Sequence, residues 1–200
     1  MKIIRHRINT IEDLTLIDNE YGIEIDLRSQ NGEIILSHDP YSKDSIRLID
    51  WLKFYQHKTL VLNVKEEGLE QKILKLMDSF AIQEFFFLDQ SFPFMMKTLI
   101  SGESRVAMRF SDQESFDTIL RILNLKFLQP SWVWVDSFSG NWSHLSDLEK
   151  IKSLGFKACL ASPELHGRNL DLELKVIREF KENYQFEAVC TKLPEKWLAI

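Results

Sequence analysis

Short apolar runs and segments of helical periodicity alternate along the whole 200-residue chain, and this alternation restricts the fold more than any single residue does. Strand patterns are predicted at residues 3–4, 22–27, 59–64, 84–88, 104–108, 132–135, 156–160 and 188–191. Helical patterns fall between them at about 10–20, 43–55, 69–79, 92–100, 112–123, 145–154 and 170–180, with a stub at 194–198. Strand followed by helix, repeated, is the pattern of parallel βαβ units. Eight such units are the number that close a (β/α)8 TIM barrel, with functional groups at the C-terminal ends of the strands. The length is near the lower limit for that fold, so a minimal barrel without an inserted domain is predicted, as one domain over residues 1–200. A doubly wound open sheet is the competing architecture. It would place a glycine-rich turn after the first strand, where this chain has Arg7-Ile8-Asn9.

The content of 44% hydrophobic residues, with 14 Phe and 5 Trp, is enough for a full and bulky core. No window approaches 18 uninterrupted apolar residues, and the opening Met-Lys-Ile-Ile-Arg-His-Arg lacks a long apolar run; neither stable membrane insertion nor export is expected. Cys159 and Cys190 lie in apolar strand-like runs and read as reduced core thiols of a cytoplasmic protein. A net charge of -5 argues against a nucleic-acid partner, while leaving room for a local basic pocket that holds one phosphate. The oligomeric state is left open by the sequence.

Residues 22–39 carry the strongest chemical signal. In Gly22 to Leu27 apolar and acidic residues alternate at period two, so a strand there puts Glu24 and Asp26 on one face and Ile23, Ile25 and Leu27 on the other. Asn31-Gly32 signals a tight turn, and the run Glu33 to Ser37 brings His38 and Asp39 back beside the first strand. On a barrel, the strand ends add His6 and Arg7 from the first strand, and Asn63 and Lys65 from the third. Two carboxylates and an amide oxygen, from Glu24, Asp26 and Asn63, are hard ligands suited to Mg²⁺ or Ca²⁺. Arg7 and Lys65 are candidates for holding a phosphate, and His6 and His38 for moving protons on either side of it. Together these residues point to cleavage of a small phosphodiester.

The stretch Gly-Ile-Glu-Ile-Asp-Leu-Arg, followed by Asn-Gly-Glu-Ile-Ile-Leu-Ser-His-Asp-Pro, resembles the signature of glycerophosphodiester phosphodiesterases, and His6-Arg7 matches that family's opening pair. Phospholipase D toxins and phosphatidylinositol-specific phospholipases C have a similar barrel. The resemblance is specific over about the first 65 residues. It implies a metal held by Glu24 and Asp26, His6 and His38 as the acid/base pair, and attack on phosphorus by a neighbouring substrate hydroxyl through a cyclic phosphate. It also implies a hydrolase of lipid metabolism acting on a glycerol- or sugar-type phosphodiester. The alternatives are a weakly active or inactive member that binds a phosphorylated ligand, and a lyase that releases the cyclic phosphate. The chain departs from the family pattern at several points. Asn63 stands where a third acidic ligand is usual, Ile8 replaces a glycine, and Lys192 replaces an aspartate in the last strand motif. The capping insertion is missing, since only 24 residues separate His38 from Asn63.

Secondary candidates are Arg109 and Asp136 at strand ends, Asp136 as a substitute third ligand, and the polar loop His166-Gly167-Arg168. Trp132 and Trp134 are expected in the core or a pocket wall. His57, His144 and His166 have no partners nearby in sequence and are expected at the surface.

Overall fold

The computed structural model describes residues 1–42, 44–124, 128–181 and 186–198. Its strands are β1 (Lys2–Arg5), β2 (Gly22–Gln30), β3 (Glu33–Leu36), β4 (Leu60–Val64), β5 (Phe85–Leu88), β6 (Ala107–Phe110), β7 (Trp132–Val135), β8 (Lys157–Ala161) and β9 (Ala188–Thr191). Eight of them run parallel in the order β5-β4-β2-β1-β9-β8-β7-β6, and β3 pairs antiparallel with β2 as a hairpin arm. A parallel bridge between Phe87 and Val106 joins the two ends of this order, with the Phe87 amide donating to the Arg105 carbonyl at 2.8 Å. The sheet is therefore a nearly closed (β/α)8 barrel whose seam lies between β5 and β6. Helices α1 (Ile11–Thr15), α2 (Leu48–Trp51), α3 (Glu70–Ser79), α4 (Phe92–Ile100), α5 (Phe116–Leu123), α6 (Leu148–Ser153), α7 (Leu170–Lys181) and α8 (Pro194–Leu198) fill the connections. Among the described residues no helix is long and apolar enough to cross a membrane.

Alternation along each strand sorts side chains between two cores. One lies between the sheet and the helices and takes Ile23, Ile25 and Leu27 from β2 together with the apolar faces of the helices. The other fills the barrel interior and includes Ile4, Val61, Phe86, Trp132, Trp134 and Cys190, with Phe86 stacked on Trp132 at 4.5 Å. Registered neighbours in a sheet share a face, so the pairings Glu24 with Val61 and Asp26 with Asn63 put both acids inside the barrel. Cys159 and Cys190 are free and buried in the same interior.

Several boundaries differ from the sequence pattern for local reasons. The first helix stops at Thr15, because the Asp18 carboxylate accepts the Glu20 amide at 2.9 Å and turns the chain. The 43–55 segment is α-helical only at Leu48–Trp51, since Ile46 accepts the Leu36 amide at 2.9 Å and Arg47 bridges to Ile35, extending the backbone there; residue 43 lies outside the described residues. β6 begins at Ala107 rather than 104, because the Val106 amide closes a turn onto the Ser104 carbonyl at 2.7 Å. The shift places Arg109 near the strand's C-terminal end.

The β2–β3 hairpin turns through Asn31 and Gly32 at φ 52° and 78°, the positive angles a two-residue hairpin needs. Gly22 serves close approach instead. A Cβ there would meet Ile4 Cγ1 at 2.9 Å and the Thr59 carbonyl oxygen at 3.0 Å. Gly22→Ala should therefore destabilise the protein by ~1–3 kcal/mol, read as a lower urea midpoint at unchanged slope. An unchanged midpoint would show that β1 and β4 are free to move apart at this level.

Candidate active site

β2 carries the centre of the site. Glu24 and Asp26 are almost completely buried, two residues apart on the interior face, and each is surrounded by donors from neighbouring elements. Glu24 accepts the Arg7 amide on Oε2 at 2.6 Å and the Asn63 side-chain amide on Oε1 at 2.9 Å. His6 Nε2 lies 3.8 Å from the same Oε2. Asp26 is held by Asn9 in two directions: Asn9 Nδ2 donates to Oδ2 at 2.9 Å, and Asn9 Oδ1 accepts the Asp26 amide at 2.9 Å. Arg7 Nε stands 3.4 Å from Asp26 Oδ2, and Lys65 Nζ stands 3.4 Å from Oδ1.

The chain adopts uncommon backbone conformations to arrange this. Arg7 is left-handed at φ 57°, which aims its amide at Glu24; Asp89, just past β5, is left-handed at φ 62°. Such angles cost a non-glycine residue about 1–2 kcal/mol, and here the ion pairs and hydrogen bonds of the site offset that strain.

Burial, followed by the charge of Asp26, pushes the Glu24 carboxyl up to about 7. Burial, reinforced by Arg7, pushes His6 down to about 4, so His6 is neutral near pH 7. Among the described residues His6 Nδ1 is buried without a hydrogen-bond partner, as is the side-chain oxygen of Asn63. That orphaned oxygen lies on the residue that donates to Glu24, beside two carboxylates whose joint ionisation is unfavourable. Both features favour a hard cation, and the donor set of Glu24, Asp26 and Asn63 fits an oxygen-ligated Mg²⁺ or Ca²⁺. Among the described residues no three His, Cys, Asp or Glu side chains come together in a metal-binding group.

Of the sequence candidates, His6, Arg7, Glu24, Asp26, Asn63 and Lys65 are brought together. Lys65 is no solvated charge: its side chain is largely buried and bridges Asp26 and Asp89, at 3.4 Å from each. His38 stands apart. Its Nδ1 pairs with Asp39 at 2.8 Å, its side chain is 40% exposed, and its ring meets none of the other site residues among those described. Arg28 anchors this loop by donating to the His38 carbonyl from Nε and from Nη2, at 3.1 and 3.0 Å, and to the Lys65 carbonyl at 3.2 Å.

Asp136 stands apart from the Glu24–Asp26 pair. It belongs to the end of β7, opposite β2 in the ring of eight strands, and its oxygens accept the Ser137 amide, Arg109 and His166. The histidines expected at the surface have partners from distant segments. His57 is buried and bonds the Ile17 carbonyl at 3.1 Å, His144 is half-buried against Phe110 and Trp142, and His166 meets Asp136 at 2.7 Å. Burial pushes both His57 and His144 below the usual histidine range. Sequence reading missed Asn9 and Asp89. Asp89 directly follows β5, a signal that marks it, whereas Asn9 lies four residues past the end of β1.

The His6 shift has a stability consequence. Its folded pKa lies below the unfolded one, so the unfolded chain takes the proton first and stability falls as pH drops from about 6.5 towards about 4. Glu24 has the opposite sign and loses stability as pH rises from about 4.5 through 7. The difference between wild type and His6→Asn isolates the first effect: the wild type should lose ~3 kcal/mol more over pH 6.5 to 4 in urea unfolding. Parallel curves would show that His6 is not desolvated.

No family model matches the sequence, and no curated protein matches it. Solved structures do match by shape. One, from Agrobacterium tumefaciens and named as a glycerophosphoryl diester phosphodiesterase, superposes with a TM-score of 0.68 at 13% identity, covering 99% of this chain and 96% of its own. A glycerophosphodiester phosphodiesterase from the same species gives 0.64 at 14% identity, covering 94% and 95%. A glycerophosphoryl diester phosphodiesterase from Parabacteroides distasonis gives 0.65 at 10%, covering 96% and 82%. At these identities the likeness is one of fold, and it extends over nearly the whole chain.

Proposed function

We propose that the chain is a divergent relative of the glycerophosphodiester phosphodiesterases, a metal-dependent phosphoric diester hydrolase acting on a glycerol- or sugar-type phosphodiester. The observation that carries this reading is the buried Glu24–Asp26 pair at the barrel mouth, with His6 at 3.8 Å and the Asn63 oxygen unpartnered among the described residues. The fold shared with enzymes of that name supports it.

In this reading Glu24, Asp26 and Asn63 hold Mg²⁺ or Ca²⁺. When bound, the cation supplies positive charge against the non-bridging phosphate oxygens. Arg7 and Lys65 extend that field, Arg7 with a partly exposed guanidinium and Lys65 as a point charge within the mouth. His6, neutral at working pH, takes the proton of the attacking substrate hydroxyl, and a cyclic phosphate with a free alcohol results. His38 is the acid/base partner that the resemblance implies. Its exposed loop position means the loop has to bring it to the phosphate. The buried free thiols fit the cytoplasmic location that the sequence suggests.

Purified protein with Mg²⁺ or Ca²⁺ and a panel of glycerophosphodiesters, followed by phosphorus NMR, tests the reading. Conversion to a phosphomonoester is expected for a hydrolase, an accumulating cyclic phosphate marks a lyase, and inactivity on every phosphodiester would overturn it. His6→Ala should lower turnover by ~10²-fold or more. Restoring a carboxylate with Asn63→Asp should lower thermal stability without metal, since the bond to Glu24 is replaced by repulsion. The same change should enlarge the stabilisation that Ca²⁺ or Mg²⁺ gives. An Asn63→Asp protein that metal stabilises no better than wild type would remove Asn63 from the ligand set.

A phosphate-binding role without turnover is the second reading. It is favoured by one observation: the oxygens of Glu24 and Asp26 already accept donors from Arg7, Asn9, Asn63 and Lys65. Calorimetry that finds glycerol phosphate binding but no cation binding at millimolar metal would select it.

A further inference from the structure

At the seam of the barrel a cleft of about 590 Å³ opens on the mouth, a volume within the range of small-molecule sites. Among the described residues one bridge, Phe87 with Val106, joins β5 to β6. The cleft begins past that bridge, over Ala107, Met108 and Arg109 of β6, and runs between the first turns of α4 and α5. Its apolar walls are Met108, Ala107, Met95 and Phe92, the last 53% exposed. Its charged groups are already occupied. Arg109 donates from Nε to Asp89 at 2.9 Å and from Nη1 to Asp136 at 3.3 Å, and Glu114 accepts the Ser111 hydroxyl at 2.9 Å. A polyol entering the cleft has to compete with these bonds for its hydroxyls. An apolar chain competes with nothing but the water on Phe92 and the methionines, whose unbranched side chains adapt to its shape.

Two observations tie this cleft to the acidic pair. Asp89 belongs to both: it lines the cleft, and Lys65 Nζ lies 3.4 Å from it and 3.4 Å from Asp26, so the edge of the cleft is one ammonium group away from Asp26. The strand order supplies the second. In the closed ring β6 is four strands from β1 by either route, so the cleft and His6, which follows β1, stand across the mouth from each other. On one of those routes β2, with Glu24 and Asp26, lies between them.

We infer that the seam cleft takes the departing alcohol of the substrate, and that this alcohol is an alkyl group rather than a second polyol. The inference rests on the phosphodiesterase reading above and names the half of the substrate that the reading leaves open; it adds no chemical step. In-line displacement needs the attacking and leaving oxygens on opposite sides of phosphorus. With phosphorus at the acidic pair, the glycerol or sugar hydroxyl lies on the His6 side and the ester bond that breaks points towards the seam.

A series of glycerophosphodiesters with methyl, ethyl, butyl or hexyl as the second alcohol, cleaved with added Mg²⁺, reads the cleft through kcat/KM. A fully buried methylene is worth roughly a threefold to fourfold gain, so the hexyl diester should exceed the ethyl diester by ~10-fold or more. Thr118 lines the cleft from an exposed position on α5, so Thr118→Trp fills the space without entering the core. Phe92→Ser removes a wall instead, at a side chain that is half exposed, and keeps the test open if the tryptophan variant fails to fold. Each should bring the hexyl-to-ethyl ratio to within a few-fold of one while the methyl diester is cleaved as by wild type. A wild-type kcat/KM that is flat from methyl to hexyl, or a ratio that persists in either folded variant, overturns the role of the cleft and leaves the phosphodiesterase reading standing. A wild type that cleaves none of the four diesters overturns that reading, and the inference with it.

Discussion

Two carboxylates buried side by side on the interior face of one strand are the interaction on which the rest of the mouth depends. Glu24 and Asp26 project into the barrel because β2 alternates strictly, and the same alternation makes Ile23, Ile25 and Leu27 the outer core. Raising Glu24 to about 7 corresponds to ~3 kcal/mol of disfavour for its charged form. The surrounding chain meets that cost with donors. The left-handed backbone of Arg7 delivers an amide, Asn63 delivers another, and Asn9 clamps Asp26. A domain could avoid this cost with apolar residues at both positions, as Val61 and Phe86 show on neighbouring strands. Two acids there are what the proposed phosphodiester chemistry requires, and stability alone does not call for them.

From this pair, charges of alternating sign run round the β4–β7 half of the mouth. Asp26 meets Lys65, Lys65 meets Asp89, Asp89 meets Arg109, Arg109 meets Asp136, and Asp136 meets His166. The Arg109–Asp89 pair spans the seam between β5 and β6, where among the described residues a single bridge closes the barrel. A side-chain ion pair there supplements that bridge. The mouth is thus one connected network, with His6 beside its acidic end and His166 at the other.

Much of this was legible in the sequence, for reasons that differ by residue. The eightfold alternation identified the barrel because period-two and period-3.6 patterns report burial directly, and strand ends then located Glu24, Asp26, Asn63 and Lys65. What was hidden depended on contacts between segments far apart in the chain. His166 looked isolated because Asp136 is 30 residues away, and only the folded-back turn after β8 joins them. His57 looked exposed because its partner, the Ile17 carbonyl, appears only once the first helix ends early. His38 illustrates the reverse. Its place in a recognisable motif suggested a site at the centre, whereas its ring sits on an exposed loop paired with Asp39.

The central claim is that Glu24 is half of a buried carboxylate pair which, in the proposed function, accepts a cation. Carbon-13 NMR of the Glu24 side-chain carboxyl, titrated with pH in the absence of divalent metal, measures this directly. A midpoint near 7 that falls when Mg²⁺ or Ca²⁺ is added is the predicted result. A midpoint in the ordinary glutamate range, unmoved by metal, would contradict it.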